Sequence, residues 1–430
     1  MRLTAPAGGL AAVAIMAASL FPLPARAGVD PLAAEEGSYP EKARLQWAPG
    51  DGVSLALRGV LALDFVTFPR TEAEFGLSRD AELRLRAARP SLRMELGADW
   101  SARFDLELGS ATPEAQEAWV EFKRLSFLKL RVGHFHVPFG LAQNVPLEDQ
   151  RLMDAPMLAG NSKDFRDVGI LVSGAAWDAR IRYAVAVVAG SRDVSIDVND
   201  KPDIAARLLI YPLTGVHPLV EGAHLGVSGT WGEGPLRHGF RGETAAGSAF
   251  FQPPAIRGAV TRSGAELEWV NRYGRLAAEY QHVTQDRTEL TEDQAAGQVE
   301  NLKPLEVYGW YVEGAWHVWG QRGATAPVTG VEVAARYEKI TLRDGSEKVG
   351  TAKGVEDHAP LPDVWADAIT AGVNAYPAPG VKFTLLWQGV RFSDLRIAPD
   401  YEPPEKGAGA VVAAESSMVH HVMCRAQFVF

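Results

Sequence analysis

The stretch VSLALRGVLALDF, residues 53–65, places its apolar side chains at every second position. Leu55, Leu57 and Leu63 fall on one face of an extended chain, and Arg58 falls on the other. Strict alternation of this kind predicts a β-strand with one apolar and one polar face. The architecture of this chain is therefore set by strands and not by helices.

The same period-two pattern recurs along the chain and predicts sixteen strands. Their bounds are 53–68, 80–97, 99–109, 115–124, 127–136, 166–175, 178–190, 202–212, 223–232, 262–270, 275–284, 307–319, 329–340, 367–376, 380–391 and 420–430. The connections between them alternate between short and long. An even number of strands with short turns at one rim and long loops at the other is typical of an antiparallel transmembrane β-barrel. The sequence therefore predicts an all-β fold, closed into a sixteen-stranded barrel.

The second segment, 80–97, changes the face of its apolar side chains near Pro90. Leu83 and Leu85 share one face before the proline, and Leu92 and Met94 share a face after it. Such a change of parity predicts a β-bulge at Pro90.

The chain ends with CRAQFVF, residues 424–430, in the middle of an alternating pattern. In a barrel the last strand must pair with the first, because an open sheet edge in lipid is very costly. Phe428 and Phe430 also resemble the C-terminal signal of outer-membrane proteins, which the barrel assembly machinery reads as a membrane-insertion signal. Cys424 is the one cysteine, so no internal disulfide can form.

The N-terminus predicts export. An apolar run, 9–21, follows Arg2, and Ala25 and Ala27 form a small-x-small cleavage pattern, so residues 1–27 read as a signal peptide cut near Ala27. We expect residues 28–52 to form an N-terminal periplasmic segment and residues 53–430 to form the barrel. The formal net charge of −10 includes Arg2 and Arg26. An acidic, exported chain is a poor candidate for binding nucleic acid.

The chain resembles the phosphate-selective porin family, porins O and P, of Gram-negative outer membranes. The matching stretches follow one another in order along the chain. They are LRLRAARPSLRMEL (83–96), LKLRVGHFHVPFGLAQ (128–143), DFRDVGILVSG (164–174), DKPDIAARLLIYPL (200–213), SGAELEWVNRYGRLAAEYQHV (263–283), GWYVEGAWHVWG (309–320), VEVAARYEKI (331–340) and RAQFVF (425–430). The resemblance implies a porin-type barrel embedded in outer-membrane lipid, which assembles as a homotrimer and admits small anions such as phosphate. It also implies that the third external loop, 137–165, folds inward and constricts the pore.

Basic side chains on the predicted polar faces are the candidate pore-lining and anion-binding residues. Spaced guanidinium groups can pass a phosphate along by successive bidentate contacts. These residues are Arg58, Arg84, Arg86, Arg89, Arg93, Lys129, Arg131, Arg151, Arg166, Arg180 and Arg182.

The acidic residues favour a different selectivity. Glutamates and aspartates on the same faces bring the predicted wall close to charge balance, and the loop 137–165 is acidic. That loop carries Glu148, Asp149, Asp154 and Asp164 against Arg151 and Lys163. A general diffusion porin with weak or cation preference is therefore the first alternative.

An enzymatic function is not predicted, because the sequence has no G-x-S-x-G, H-E-x-x-H or phosphate-binding loop. The pairs His134 with His136 and His420 with His421 lack further ligands, so neither a metal site nor a cofactor is predicted. The second alternative is a secreted, soluble β-rich binding protein, which would be extracted without detergent.

Overall fold

The computed structural model describes twelve ranges of the chain and two single residues. They are 45–50, 52–67, 81–110, 112–162, 165–190, 201–238, 240, 242, 244–245, 255–289, 300–323, 327–344, 363–393 and 418–430. The predicted signal peptide, most of the predicted N-terminal segment, Lys163 and Asp164 lie outside the described residues.

The described part of the chain contains seventeen strands. They are β1 Leu45–Gly50, β2 Val53–Thr67, β3 Ala81–Leu96, β4 Trp100–Glu107, β5 Glu114–Leu125, β6 Leu128–His136, β7 Arg166–Ala176, β8 Ile181–Val188, β9 Asp203–Ile210, β10 His224–His238, β11 Ala255–Asn271, β12 Gly274–Glu289, β13 Glu300–Trp319, β14 Gly330–Asp344, β15 Val364–Ala378, β16 Val381–Phe392 and β17 Val419–Val429. Short 3-10 helices span Ala142–Asn144, Leu147–Asp149 and Met157–Ser162. No helix among the described residues is long and apolar enough to cross a membrane.

Strands β2 to β17 form one antiparallel sheet that closes on itself. Each strand pairs with the next along the chain, and β17 pairs with β2, for example Met423 with Val66 and Phe428 with Leu61. The sixteen-stranded antiparallel barrel is therefore confirmed. β1 was not predicted as a strand; it forms a hairpin with β2, in which Leu45 pairs with Leu57.

The last residue of the chain is paired, as the alternating C-terminus predicted. The N–H of Phe430 donates to the carbonyl of Gly59 at 3.0 Å, and the N–H of Gly59 donates to the carbonyl of Phe430 at 2.8 Å. A Cβ atom at position 59 would lie 2.3 Å from the Phe430 ring. Glycine at this position therefore lets the terminal ring pack directly against the backbone of β2.

Burial along each strand is the reverse of that in a soluble sheet. On β2, Leu61, Leu63 and Phe65 are 38–45% exposed, whereas Arg58 and Asp64 are buried. Apolar side chains thus point outward and polar side chains point inward, which is the alternation of a barrel in lipid.

Most strand bounds agree with the sequence patterns, and the larger extensions lie at ends that meet the long loops. β11 begins at Ala255 and β13 at Glu300, several residues before the alternation begins, and β10 extends to His238. These extensions are held by ladder pairs such as Arg237 with Ile256. The alternating pattern does not predict these extensions, because neither face of a strand needs to be apolar beyond the lipid.

The predicted bulge at Pro90 is wrong in position. Pro90 pairs regularly with Gly59, and the register shifts four residues earlier, where Ala62 pairs with Ala87 and Leu63 pairs with Leu85. Arg86 is the extra residue. A bulge bends its strand and re-aims a side chain, so it sets the direction of Arg86.

Candidate pore constriction

The connection between β6 and β7, residues 137–165 (the β6–β7 segment), is held by wall carboxylates. The N–H groups of Leu141 and Ala142 donate to the Glu279 carboxylate on β12, at 3.0 and 2.9 Å. The N–H of Met157 donates to Glu338 on β14. Hydrogen bonds to an ionised acceptor are roughly twice as strong as neutral ones, so these carboxylates are firm attachment points.

Two further wall side chains donate to carbonyl oxygens of the same segment. The Asn374 amide on β15 donates to the carbonyl of Arg151 at 2.7 Å. The Lys382 ammonium on β16 donates to the carbonyls of Glu148 and Gln150, at 3.1 and 2.9 Å. The segment therefore contacts strands that lie, in the order of the sheet, on the far side of the barrel from β6 and β7.

Apolar packing supplements these hydrogen bonds. Leu141 and Leu158 form one buried cluster with Tyr311 of β13, and Leu152 forms another with Ala315 and Ala334. Burial of apolar surface adds about 25 cal/mol per Å². The β6–β7 segment is thus a packed element of the barrel and not only a surface loop.

A cavity of about 60 Å³ lies between the β6–β7 segment and the part of the wall formed by β3, β4, β6 and β7. Four guanidinium groups line it: Arg86 and Arg89 from β3, Arg103 from β4 and Arg166 from the start of β7. His136 is also part of the lining, and the two lining carboxylates are Glu148 and Asp154 of the segment. The structure therefore brings together three of the predicted site residues, Arg86, Arg89 and Arg166.

Each lining arginine has a carboxylate partner that is less exposed than the arginine itself. Arg86 lies 3.7 Å from Asp154, and their side chains are 29% and 5% exposed. Arg89 pairs with Glu107 at 3.0 Å, with exposures of 16% and 10%. In both pairs the guanidinium group is thus the more exposed member, although Asp154 also lines the cavity.

The remaining pairs repeat this arrangement. Arg103 lies 2.6 Å from Asp105, and Arg166 lies 3.2 Å from Glu117. In both pairs the carboxylate is the more deeply buried member. Glu117 also contacts Nδ1 of His136 at 2.7 Å, so that histidine is oriented by a carboxylate on the neighbouring strand.

The other predicted residues do not line this cavity. Arg131 is fully buried, pairs with Glu121 at 3.0 Å and lies 4.0 Å over the Trp119 ring. Arg84 lies 3.5 Å from Asp64, a carboxylate that also binds Arg425. The predicted residues outside the cavity are Arg58, Arg84, Arg93, Lys129, Arg131, Arg151, Arg180 and Arg182.

The prediction that Arg180 lies on the polar face of a strand is wrong. β8 begins at Ile181, and Arg180 lies in the preceding turn, where it is exposed and donates to the carbonyl of Pro212 at 3.3 Å. Trp177 to Ala179 all have positive φ values. Alternation cannot continue through such a turn, and this is why the sequence pattern misplaced the residue.

Two lining residues were missed as pore candidates. Arg103 lies on the polar face of its strand but was not among the predicted site residues. His136 was considered only as a metal ligand. Pairing between neighbouring strands could have indicated both residues. β4, which carries Arg103, pairs with β3, and β6, which carries His136, pairs with the strands that carry Glu117 and Arg166.

Two described residues between β10 and β11, Phe240 and Ala245, also contact the inner wall. The N–H of Phe240 donates to Gln285 at 3.0 Å, and the N–H of Ala245 donates to Gln388 at 3.1 Å. Ala245 shares a buried cluster with Met153 of the β6–β7 segment. Ala245 and the β6–β7 segment thus pack into the same cluster.

Residues 246–401 match the family model described as phosphate-selective porin O and P. This match confirms the resemblance that the sequence motifs predicted. No curated protein matches the chain by sequence.

Solved structures of outer-membrane proteins share the fold. The trimer form of OmpT from Vibrio cholerae has a TM-score of 0.55 and 12% identity, over 88% of this chain and 100% of its own. The outer-membrane channel DcaP of Acinetobacter baumannii has a TM-score of 0.55 and 9% identity, over 89% and 99%. An anion-selective porin from Comamonas acidovorans has a TM-score of 0.52 and 14% identity, over 87% and 100%. The match over residues 246–401 and the closed antiparallel barrel together support the resemblance of this chain to the phosphate-selective porins O and P.

Proposed function

We propose that this channel passes small anions, phosphate among them, between the β6–β7 segment and the arginines of β3 and β4. The observation that carries the proposal is the exposure within each ion pair. Arg86, Arg89 and Arg103 are each more exposed than their carboxylate partners. Local charge at a constriction, and not the net charge of the chain, sets the barrier for a permeating ion.

The β6–β7 segment serves as the constriction in this proposal. Its anchors on β12, β14, β15 and β16 hold it against one half of the inner wall, which leaves the passage along the half that carries Arg86, Arg89 and Arg103. Planar guanidinium groups bind phosphate oxygens in a bidentate manner. Their carboxylate partners compete with the phosphate, so binding stays weak enough for release, as conduction requires.

Cation preference is the second candidate. It is favoured by the two carboxylates of the segment that line the cavity, Glu148 and Asp154, and by the formal net charge of −10. In that case the paired arginines would serve only to hold the wall together.

Single-channel reversal potentials in a planar bilayer separate the two candidates. Under a KCl gradient we expect chloride to carry the current and added phosphate to block it. The double variant Arg86→Gln with Arg89→Gln should weaken the block by about a hundredfold, because each charge-assisted contact contributes at least about 1.5 kcal/mol. Arg180→Gln, in the exposed turn, is the matched control and should behave as the wild type. A current carried by potassium would overturn the anion proposal and leave the barrel intact.

Assembly and targeting complete the proposal. We infer a homotrimer, supported by the trimer form of OmpT among the structural relatives. Phe428 is 39% exposed on β17 and Phe430 is 48% exposed beside it, positions that suit a signal read by the barrel assembly machinery. Cleavage near Ala27 would leave residues 28–52, including β1, at the periplasmic rim.

A further inference from the structure

The outer wall of β13 to β16 contains an apolar groove of about 830 Å³. Its floor consists of small residues on adjacent strands, Gly314, Ala335 and Ala371, and Trp316 and Trp387 stand at its sides. A Cβ atom at Gly314 would meet nothing within 4 Å. The groove is therefore open toward the side of the wall that faces lipid.

A row of charged side chains crosses the same strands nearer the rim with the long loops. Lys339 of β14 pairs in register with Asp367 of β15, which pairs in register with Arg391 of β16. Asp367 is buried and accepts two hydrogen bonds from Arg391, whose side chain is 43% exposed. The row thus carries two cations and one carboxylate on an otherwise apolar surface.

The Lys339 ammonium is held without a carboxylate of its own. It lies 4.8 Å from the centroid of the Trp365 ring, and among the described residues no carboxylate forms an ion pair with it. A cation over an aromatic face remains available to a second, anionic partner. Trp310, directly beside Lys339 in register on β13, is 38% exposed and places the row at the level of an interfacial aromatic girdle.

The distance between the row of charged side chains and the groove matches the separation between the phosphate of a lipid and its acyl chains. Ala335, Ala371 and Trp387 each lie four residues from the row on their own strands, which is about 13 Å at the rise of a β-strand. We propose that this wall binds a phosphorylated, acylated lipid of the outer leaflet, with its phosphate on Lys339 and Arg391 and an acyl chain in the groove. Charge complementarity selects the headgroup, and the small residues admit the chain.

Strand length argues that lipid, and not a second copy of the chain, covers this wall. β13, β14 and β15 have 15 to 20 residues, more than the roughly 9–11 that a tilted strand needs to cross a bilayer. β4, β8 and β9 have eight residues each. Strands of this length are shorter than a spanning strand needs to be. A neighbouring subunit would therefore have to shield their side of the barrel from lipid.

Native mass spectrometry of the detergent-purified protein tests the proposal, with diphosphoryl lipid A and its dephosphorylated form as probes. The variant Lys339→Gln removes the free cation, and Gly314→Leu fills the groove. Lys201→Gln removes a cation paired with Glu233 at the same rim, and Gly229→Leu adds the same bulk on β10; they serve as matched controls.

We expect Lys339→Gln to weaken binding of diphosphoryl lipid A about fivefold, the contribution of one basic residue near an anionic lipid surface, and to leave binding of the dephosphorylated form unchanged. Gly314→Leu should weaken both probes. If Lys339→Gln and Gly314→Leu bind the probes as well as their controls do, the proposal is overturned. Dissociation of the oligomer in Gly314→Leu would also overturn it, because the groove would then be a contact between copies. Conductance should be unchanged in all four variants, so the outcome is independent of ion selectivity.

Discussion

Removal of the Glu279 carboxylate, in the variant Glu279→Ala, should loosen the β6–β7 segment from the barrel wall. This carboxylate is buried and accepts the N–H groups of Leu141 and Ala142 at 3.0 and 2.9 Å. A hydrogen bond to a charged group contributes about 1.5–3 kcal/mol, so the loss of two weakens the local attachment by about 3–6 kcal/mol. The backbone pairing of β12 with β11 and β13 does not involve this side chain, so the barrel should remain folded.

Single-channel recordings and limited proteolysis measure this effect. We expect a larger and noisier conductance, together with cleavage within the β6–β7 segment, while heat-modifiable migration on a gel stays that of a folded barrel. Glu95→Ala is the matched control, because Glu95 is 46% exposed on β3 and pairs with Lys123. If conductance and cleavage in Glu279→Ala equal those of the control, this carboxylate does not hold the segment, and the reasoning about its anchors is refuted.

Three further predictions concern the wall. Gly59→Val should reduce the yield of folded, heat-modifiable barrel, because a Cβ atom there would lie 2.3 Å from the Phe430 ring; a normal yield would show that the terminal ring can move aside. Arg131→Gln leaves the buried Glu121 carboxylate without its guanidinium partner and should destabilise the fold by about 3–5 kcal/mol, seen as a lower midpoint of denaturant unfolding; an unchanged midpoint contradicts this. Cys424 is exposed on β17, on the face that we expect to lie in lipid. In intact membranes a charged maleimide should therefore not label it, whereas the denatured protein should react fully. Labelling in membranes would place this face in water.

The barrel could be predicted from the sequence because its signal is local. The alternation along VSLALRGVLALDF predicts which side chains of β2 lie on the apolar face and which lie on the polar face. The same pattern predicts the faces of the other strands that cross lipid. It fails where lipid ends, as at Ala255 and Glu300. It also fails at Arg180, because a turn with positive φ values interrupts the period.

The constriction could be predicted only in part, because it depends on contacts between distant residues. Arg86 was a candidate, yet the bulge that directs it lies at Arg86 itself and not at Pro90. Glu279 and Glu338 look in sequence like ordinary polar-face residues, and nothing local reveals that each accepts a backbone N–H from the β6–β7 segment. Which strand stands opposite a loop is a property of the closed barrel alone.

The acidic composition of the chain, which favoured a cation channel on the sequence alone, is better explained by where the carboxylates lie. Glu279 and Glu338 are buried as acceptors for the backbone of the β6–β7 segment, and Asp105 and Glu117 are buried beneath the arginines that they orient. A carboxylate that is engaged in this way contributes little to the field met by an ion in the passage, since its charge is offset by its partners at close range. In the proposed anion channel the guanidinium groups would face the passage, Arg86 most of all, because its side chain is 29% exposed. The proposed anion channel is therefore compatible with an acidic chain, because many of its carboxylates are engaged in holding the structure together.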